Sequence, residues 1–288
     1  EHALISSEEL ILENYKEKNI VFKTDTADKE AYLETVEKAI QQIRLGHLKK
    51  VVISREELLK IPDFNLMEVY KKLLTTYKNA FVYAWFHPKV GLWLGATPET
   101  LLSTENTSFT TMSLAGTQVY EDNKKTIWKS KELAEQQLVT TFIEKQLEQV
   151  ATDLEVDKTE TVKAGNLLHL RTKVSGSLKH SASLKELICA LHPTPAVCGL
   201  PRAAARNFIL KNEVYERDYY TGFLGELNLQ QEKSSVPKTA LFVNLRCMKI
   251  NDKNSASLFI GGGITEDSNA EREWEETISK SKTMKCVL

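Results

Sequence analysis

The sequence predicts an α+β fold built on large antiparallel sheets, and three observations predict it. Short alternating segments come in adjacent pairs joined by tight turns, the pattern of hairpins. Helical spacing appears between groups of such pairs rather than after every strand, so strands and helices are segregated. No repeat, low-complexity tract or Pro/Gly/Ser-rich linker interrupts the 288 residues, a length that fits one large domain or two small ones.

The elements follow in order. Residues 1–27 are weakly patterned. From Asp28, the residues Tyr32, Val36, Ala39, Ile40 and Ile43 recur at helical spacing, and Gly46 follows as a stop. K-V-V-I-S-R (50–55) reads as a strand and residues 65–77 as a helix. A-F-V-Y-A-W-F and V-G-L-W-L-G-A flank the turn H-P-K, and L-L-S-T-E and S-F-T-T-M-S-L flank N-T, giving two hairpins. A long helix covers about 129–150, a strand covers 167–178, and short helices lie near 183–191 and 202–212. Three strands are expected next: Y-Y-T-G-F-L-G-E-L, T-A-L-F-V-N-L-R-C-M-K-I and A-S-L-F-I. A helix from about Asn269 closes the chain.

Composition narrows the function. Hydrophobic residues make up 42% and charged residues 27%, which is globular rather than disordered. A formal net charge of −1 lacks the basic surplus of a nucleic-acid binder, and no apolar run reaches membrane-spanning length. The cysteines (Cys189, Cys198, Cys247, Cys286) form neither C-x-x-C nor a zinc spacing, so reduced thiols in a cytoplasmic protein are expected. Neither a signal peptide nor an initial Met is present, and the chain as given reads as trimmed at its start.

Two helices carry carboxylates where apolar residues belong. On a helical wheel Glu132 and Glu135 share the face of Val139, Phe142, Ile143 and Val150. The field at a helix N-terminus favours acidic residues there by about 0.3–1 kcal/mol each, but it does not explain why they point inward. A buried carboxylate needs a partner, and a divalent cation is a strong one. In the last helix, S-x-x-E (268–271) suggests a capping box closed by Glu271, and Glu275 faces solvent. Glu273, Glu276 and Lys280 form one strip bordering the buried face; Glu276 and Lys280 could be a plain i,i+4 pair. Two E-x-x-E pairs meeting across a cleft would offer up to four hard oxygen ligands, which suits Mg²⁺. Gly261, Gly262 and Gly263 read as a loop between strand and helix, where backbone N–H groups can approach an anion. Neither G-x-G-x-x-G nor a Walker motif is present.

Taken together, nine motifs resemble the chorismate-utilising enzymes: isochorismate synthases, salicylate synthases, anthranilate synthase large subunits and aminodeoxychorismate synthases. They are K-V-V-I-S-R (50–55), G-A-T-P-E (95–99), L-A-G-T (114–117), K-E-L-A-E (131–135), H-P-T-P-A-V-C-G (192–199), R-D-Y-Y-T-G (217–222), N-L-R-C (244–247), G-G-G-I (261–264) and E-W-E-E (273–276). The resemblance runs from about residue 30 to the C-terminus in the family's order, with G-G-G in place of the commoner G-A-G. It implies a single catalytic domain over 28–288, with two large antiparallel sheets packed together and helices outside. Members are longer at the N-terminus, so residues 1–27 would be the remnant of a longer region.

As bare residues, Lys50 reads as a solvated lysine at a strand start and Glu99 as a loop carboxylate or cap. The resemblance reverses both: it implies Lys50 as the base that activates water and Glu99 as the acid that protonates the leaving hydroxyl. It implies Glu135 and Glu276 as the main Mg²⁺ ligands, with Glu132 and Glu273 supporting directly or through water. Gly116 and Thr117 would lie beside the metal-bound ring carboxylate of chorismate. Arg246, Tyr220 and the amides of Gly261, Gly262 and Gly263 would bind its pyruvyl carboxylate, with Lys280 close to both and His192 bordering the substrate. Ala115 stands where aminodeoxychorismate synthases carry lysine, which disfavours a lysine nucleophile. The expected activity is that of a cytoplasmic, monomeric isochorismate synthase with no glutamine amidotransferase subunit. A salicylate synthase, which goes on to eliminate pyruvate, is the alternative, and a non-catalytic chorismate-binding relative is a further one. Menaquinone and siderophore pathways stay equally open.

Overall fold

The computed structural model describes residues 26–120, 126–165, 167–230 and 236–288. Except for Thr26 and Ala27, the weakly patterned 1–27 segment therefore lies outside the described residues. Helix α1 (Thr26–Arg44) buries the stripe Tyr32, Val36, Ala39, Ile40 and Ile43 and is followed by Gly46 at φ 78°. That stripe packs on the outer face of strand β1 (Lys50–Lys60) through Val51 and Ile53, and on Trp274 near the C-terminus.

Two antiparallel sheets form the body. The first holds β1 with β2 (Phe81–His87), β3 (Gly91–Thr97), β9 (Gly199–Leu200), β12 (Cys247–Asp252) and β13 (Ser255–Ile264), in the order β2-β3-β12-β13-β1-β9. The second holds β4 (Thr100–Glu105), β5 (Ser108–Val119), β6 (Ala151–Val156), β8 (Leu167–Leu178), β10 (Phe223–Leu229) and β11 (Lys238–Val243), in the order β10-β11-β4-β5-β8-β6, with β7 (Glu160–Ala164) also paired to β8. Phe81 of β2 stacks on Phe242 of β11 with ring centroids 4.2 Å apart, joining the two sheets. Helices α3 (Ser130–Leu147) and α4 (Leu184–Leu191) cover the second sheet, while α2 (Leu66–Thr76), α5 (Arg202–Asn212) and α6 (Ala270–Lys285) cover the first. This is the α+β architecture the hairpin pattern predicts.

The C-terminal helix is fixed by charge as well as by packing. Arg55 and Glu57, on the outer face of β1, are 6% and 3% exposed. Arg55 donates to Thr277 Oγ1 at 2.8 Å and lies 4.4 Å over the Trp274 ring, while Glu57 accepts from Arg55 and Lys285. Removing one partner would leave an uncompensated buried charge, which costs on the order of 3–5 kcal/mol. The register of α6, and of the glutamates it carries, rests on this clamp.

Five features differ from the sequence reading. β6 and β7 were not expected, because A-T-D-L-E-V and E-T-V-K-A are largely exposed and show no apolar alternation. The single strand expected over 239–250 is two, β11 and β12, which belong to different sheets. β10 begins at Phe223, because residues 217–222 form a turn. The triple glycine is not a loop; it is the end of β13, with Gly261, Gly262 and Gly263 opposite Ser54, Ile53 and Val52. Asn269, not the pair Ser268 and Glu271, caps α6 by accepting from Arg272 N, and Glu271 pairs with Lys29 at the surface.

Candidate active site

The site lies where the chain twice changes sheets. Thr97-Pro98-Glu99 carries it from β3 to β4, and Asn244-Leu245-Arg246 carries it back from β11 to β12. The two crossings are tied together. Val243 N donates to Glu99 O at 3.0 Å, Ala96 N to Arg246 O at 3.0 Å, and Thr97 Oγ1 to Val243 O at 2.6 Å. Arg246 takes φ 49°, a left-handed conformation uncommon for a non-glycine residue. The crossings turn the Glu99 carboxyl and the Arg246 guanidinium into one cavity between the sheets.

Lys50 enters the same cavity from the start of β1. It is 1% exposed, and its Nζ lies 2.8 Å from Glu135 Oε1 on α3. Glu99 is 3% exposed. Burial pushes its carboxyl up to about 8, against the opposing charges of Lys50 and Arg246. A carboxyl raised to about 8 favours the protonated form at neutral pH, while Lys50, lining the same cavity, has its charge matched by Glu135.

The glycines of β13 form the floor. Val52 N donates to Cys198 O and Ser54 N to Glu213, so both amides point away from β13. In an antiparallel pair the opposed residues Gly263 and Gly261 then also face away from β1. The register with β12 stops at Leu258, which leaves those peptide groups on an open edge. Lys280 Nζ already donates to Gly261 O there at 3.0 Å. Both glycines line the cavity, and a side chain at Gly263 would strike Glu135 and Lys50. Gly262 points to the other face, does not line the cavity, and lies below Tyr32, Glu273 and Glu276.

Three of the four expected metal glutamates are brought together, each beside a lysine. Glu135 pairs with Lys50, Glu273 with Lys131 at 2.6 Å, and Glu276 with Lys280 at 2.6 Å. Burial alone would raise Glu135, but the charges of Lys50, Lys280 and Lys131 hold it below the usual carboxylate range. Glu273 is raised, by burial and then by the charge of Glu276, with Lys131 opposing. Glu132 differs from expectation: its Oε2 accepts from Lys129 N at 2.9 Å and caps the start of α3. Among the described residues no three acidic, histidine or cysteine side chains converge as a preformed metal cluster. The donor set nevertheless fits a hard cation. Glu273 is 2% exposed and its Oε2 has no hydrogen-bond partner, a buried carboxylate oxygen that calls for a positive ligand or an ordered water.

The motif L-A-G-T forms a β-bulge. The register of β5 against β8 slips between Ala115 and Thr117, with Gly116 at φ 67°. Gln136 of α3 satisfies the amide of Ala115 at 2.9 Å. The bulge turns Gly116 O onto His169 Nδ1 at 3.0 Å, and His169 Nε2 lies 3.3 Å from Arg246 Nη2. A carbonyl can only accept, so Nδ1 carries the proton and Nε2 accepts from Arg246. Burial, with the charges of Arg246 and Lys280, lowers His169 to about 3, so it stays neutral. His169, Gln136 and Lys131 were missed in the sequence. The available signal for His169 was a lone polar ring inside the apolar strand L-L-H-L.

Thr117 and Tyr220 line the cavity as expected, and Tyr220 stacks on Phe259 at 5.7 Å. His192 does not line it. It ends α4, packs edge-on against Phe223 at 5.1 Å, and is lowered to about 4 by burial and by Arg202. Ala196 and Val197 of the same motif reach the cavity in its place.

Fold and site together define a protein that places a buried lysine, a buried glutamate with a raised carboxyl and the carboxylates of Glu135 and Glu276 around one cavity. The model of the chorismate binding enzyme family matches residues 2–288, and the chain belongs to that family. Among curated proteins it is similar to isochorismate synthase DhbC of Bacillus subtilis, 30% identical over 88% of this chain and 67% of that protein. It is also similar to isochorismate synthase MenF of Escherichia coli, 29% identical over 91% of this chain and 61% of that protein. Among solved structures, DhbC of Bacillus anthracis, described as a putative 2,3-dihydroxybenzoate-specific isochorismate synthase, superposes with a TM-score of 0.83 at 30% identity, over 96% of this chain and 76% of that one. Anthranilate synthase component I of Streptococcus pneumoniae gives 0.78 at 25% identity, over 92% and 59%. The chain thus spans about three fifths to two thirds of the length of the curated relatives it matches. Among the described residues no helix is long and apolar enough to cross a membrane.

Proposed function

We propose that this chain is an Mg²⁺-dependent isochorismate synthase, adding water at C2 of chorismate with loss of the C4 hydroxyl. The observation that carries the proposal is the pairing, in one cavity, of two buried side chains, Lys50 and a Glu99 whose carboxyl burial pushes up to about 8. Lys50 acts as the neutral amine, its ammonium having first released a proton to solvent, and takes a proton from water as the water oxygen bonds to C2. The two ring double bonds each shift by one position, the C4–O bond breaks, and Glu99 gives its proton to the departing hydroxyl, which leaves as water. Arg246 and the outward amides of Gly261 and Gly263 would hold the pyruvyl carboxylate. Glu135, Glu276 and Glu273 would hold the cation, which when bound supplies positive charge for the ring carboxylate; Glu132 acts instead on the start of α3. The names of the relatives above support this reading, as does Ala115, which offers no amine nucleophile. A monomer in the cytoplasm remains the expected form.

The test is product analysis by chromatography with chorismate and Mg²⁺ and no ammonia. Isochorismate is expected as the main product; accumulation of salicylate and pyruvate would assign the alternative, and binding without turnover the non-catalytic one. Adding ammonium is expected to leave the product unchanged, and anthranilate or aminodeoxychorismate as a main product would overturn the assignment of water as nucleophile.

The state of Glu99 gives a pH dependence. A carboxyl raised to about 8 is protonated below that value, so the donor form is present at pH 6–7 and is lost as pH rises through about 8. Where Lys50 is already neutral, the forward kcat is therefore expected to fall about tenfold per pH unit on the alkaline side. A profile with no alkaline limb between about pH 7 and 10 would remove Glu99 as the acid.

A further inference from the structure

Behind Arg246 lies a second cavity of about 770 Å³, bounded by the end of α2, the end of β7 and Pro98 between β3 and β4. It shares Pro98, Leu114 and Arg246 with the catalytic cavity, so the Arg246 side chain stands in the wall between them. Among its described lining residues every charged one is basic: Lys78, Lys163, Arg171 and Arg246. Arg171 is matched by Glu160 at 2.7 Å. Lys78 and Lys163 are exposed, and Lys163 lies 3.3 Å over the Tyr120 ring, a contact that leaves its positive charge in place. Among the described residues the hydrogen bonds of the Arg246 guanidinium are long, 3.4 Å to Lys280 O and 3.3 Å to both Thr283 Oγ1 and His169 Nε2.

We infer that this outer cavity is the vestibule through which an anionic dicarboxylate substrate reaches the catalytic cavity, with Lys78 and Lys163 drawing it in and Arg246 receiving it. The inference rests on the proposed function for the identity of the substrate. A cleft lined by one sign of charge focuses the field and raises the local concentration of an oppositely charged ligand. The overall net charge of −1 supplies no such attraction, so a local basic mouth is what a dianion requires. Arg246 lines both cavities and can exchange weak contacts in one for a carboxylate in the other.

The experiment compares the parent with the K78E/K163E double variant, using chorismate and Mg²⁺ at ionic strengths from about 0.02 M to about 0.5 M. Both lysines are exposed and lie outside the catalytic machinery, so the fold and kcat are expected to be retained. At low salt kcat/KM is expected to fall about tenfold, the lower end of steering effects, and the two proteins are expected to converge at high salt. A neutral plug, Thr76→Trp at the exposed end of α2, is expected to lower kcat/KM equally at all salt concentrations. A loss that appears in kcat, a loss in the double variant that persists at high salt, or values within twofold of the parent at low salt would overturn the vestibule. Should the parent not turn chorismate over, the proposed function fails by itself. The vestibule is then judged by calorimetric titration of chorismate into the parent and the double variant at the same two salt limits, with the same convergence expected.

Discussion

Replacing Glu99 by glutamine is expected to lower kcat at least about 10²-fold while leaving chorismate affinity within a few-fold of the parent. The amide keeps the shape of the buried carboxyl but carries no proton that it can release to a leaving hydroxyl. Burial holds the native carboxyl protonated, so the substitution removes no charge from the cavity near neutral pH, and the fold should not suffer. Lys50→Ala should cost at least as much in kcat, because it removes the proposed base from the cavity while the neighbouring Glu135 is taken up by the cation. It differs in one respect: it strands Glu135, whose carboxylate the Lys50 ammonium holds below its usual range, so some loss of thermal stability should accompany it. Isochorismate formation is reversible in principle, and the roles of acid and base exchange in the reverse direction. Both variants should therefore lose the two directions in parallel. The measurement is kcat in each direction beside a direct titration of ligand binding. Near-parent turnover by Glu99→Gln would end its assignment as the acid, and a bound structure with Lys50 and Glu99 on one face of the ring would end the pairing of roles.

Much of this site was legible because its residues sit in strongly patterned elements. The start of β1 and the hairpin that delivers Glu99 announce themselves by alternation, and α3 and α6 by carboxylates on apolar faces. What could not be read depends on contacts between distant parts of the chain. Leu245 and Arg246 continue the composition of a strand, and nothing local marks the left-handed turn at Arg246 that sends the chain to the other sheet. The three glycines read as a turn because the reason for them is lateral: Glu135 and Lys50, from two other elements, occupy the space a side chain at Gly263 would need. Glu132 and Glu135 look alike on a wheel, yet the start of α3 takes one to accept from the Lys129 amide and offers the other to Lys50. Glu271 was the converse case, a sequence match to a capping box whose role fell to Asn269 one residue away from the expected cap. His192 follows the same logic, since the end of α4 and the Phe223 ring use it for packing.

Removing one carboxylate charge from the glutamate cluster should abolish most activity by a different route, through the cation. Glu135→Gln and Glu276→Gln are each expected to weaken Mg²⁺ binding by at least about 10–100-fold, the range seen even for groups that only support a metal ligand. Hard cations hold to charged oxygens, and an amide oxygen supplies neither the charge nor the second donor atom. The consequences for the lysines separate the two variants. Glu276→Gln frees Lys280, which keeps its bond to Gly261 O, so the cavity floor stays in place. Glu135→Gln leaves Lys50 buried without its ion-pair partner and should be the less stable of the two. Glu273→Gln keeps a hydrogen-bond acceptor for Lys131 but loses a carboxylate whose second oxygen has no partner, and its effect on Mg²⁺ affinity should be smaller. Glu275→Gln is the control: the side chain is exposed on the outer face of α6, and its affinity and activity should match the parent. The measurement is calorimetric titration of Mg²⁺ into each variant, with turnover followed in parallel across Mg²⁺ concentrations. Excess Mg²⁺ should recover part of the activity of Glu276→Gln, since a weakened site can still be filled by mass action. Full activity of the parent in excess chelator, or Mg²⁺ affinities unchanged in both Glu135→Gln and Glu276→Gln, would show that these carboxylates serve the lysines alone.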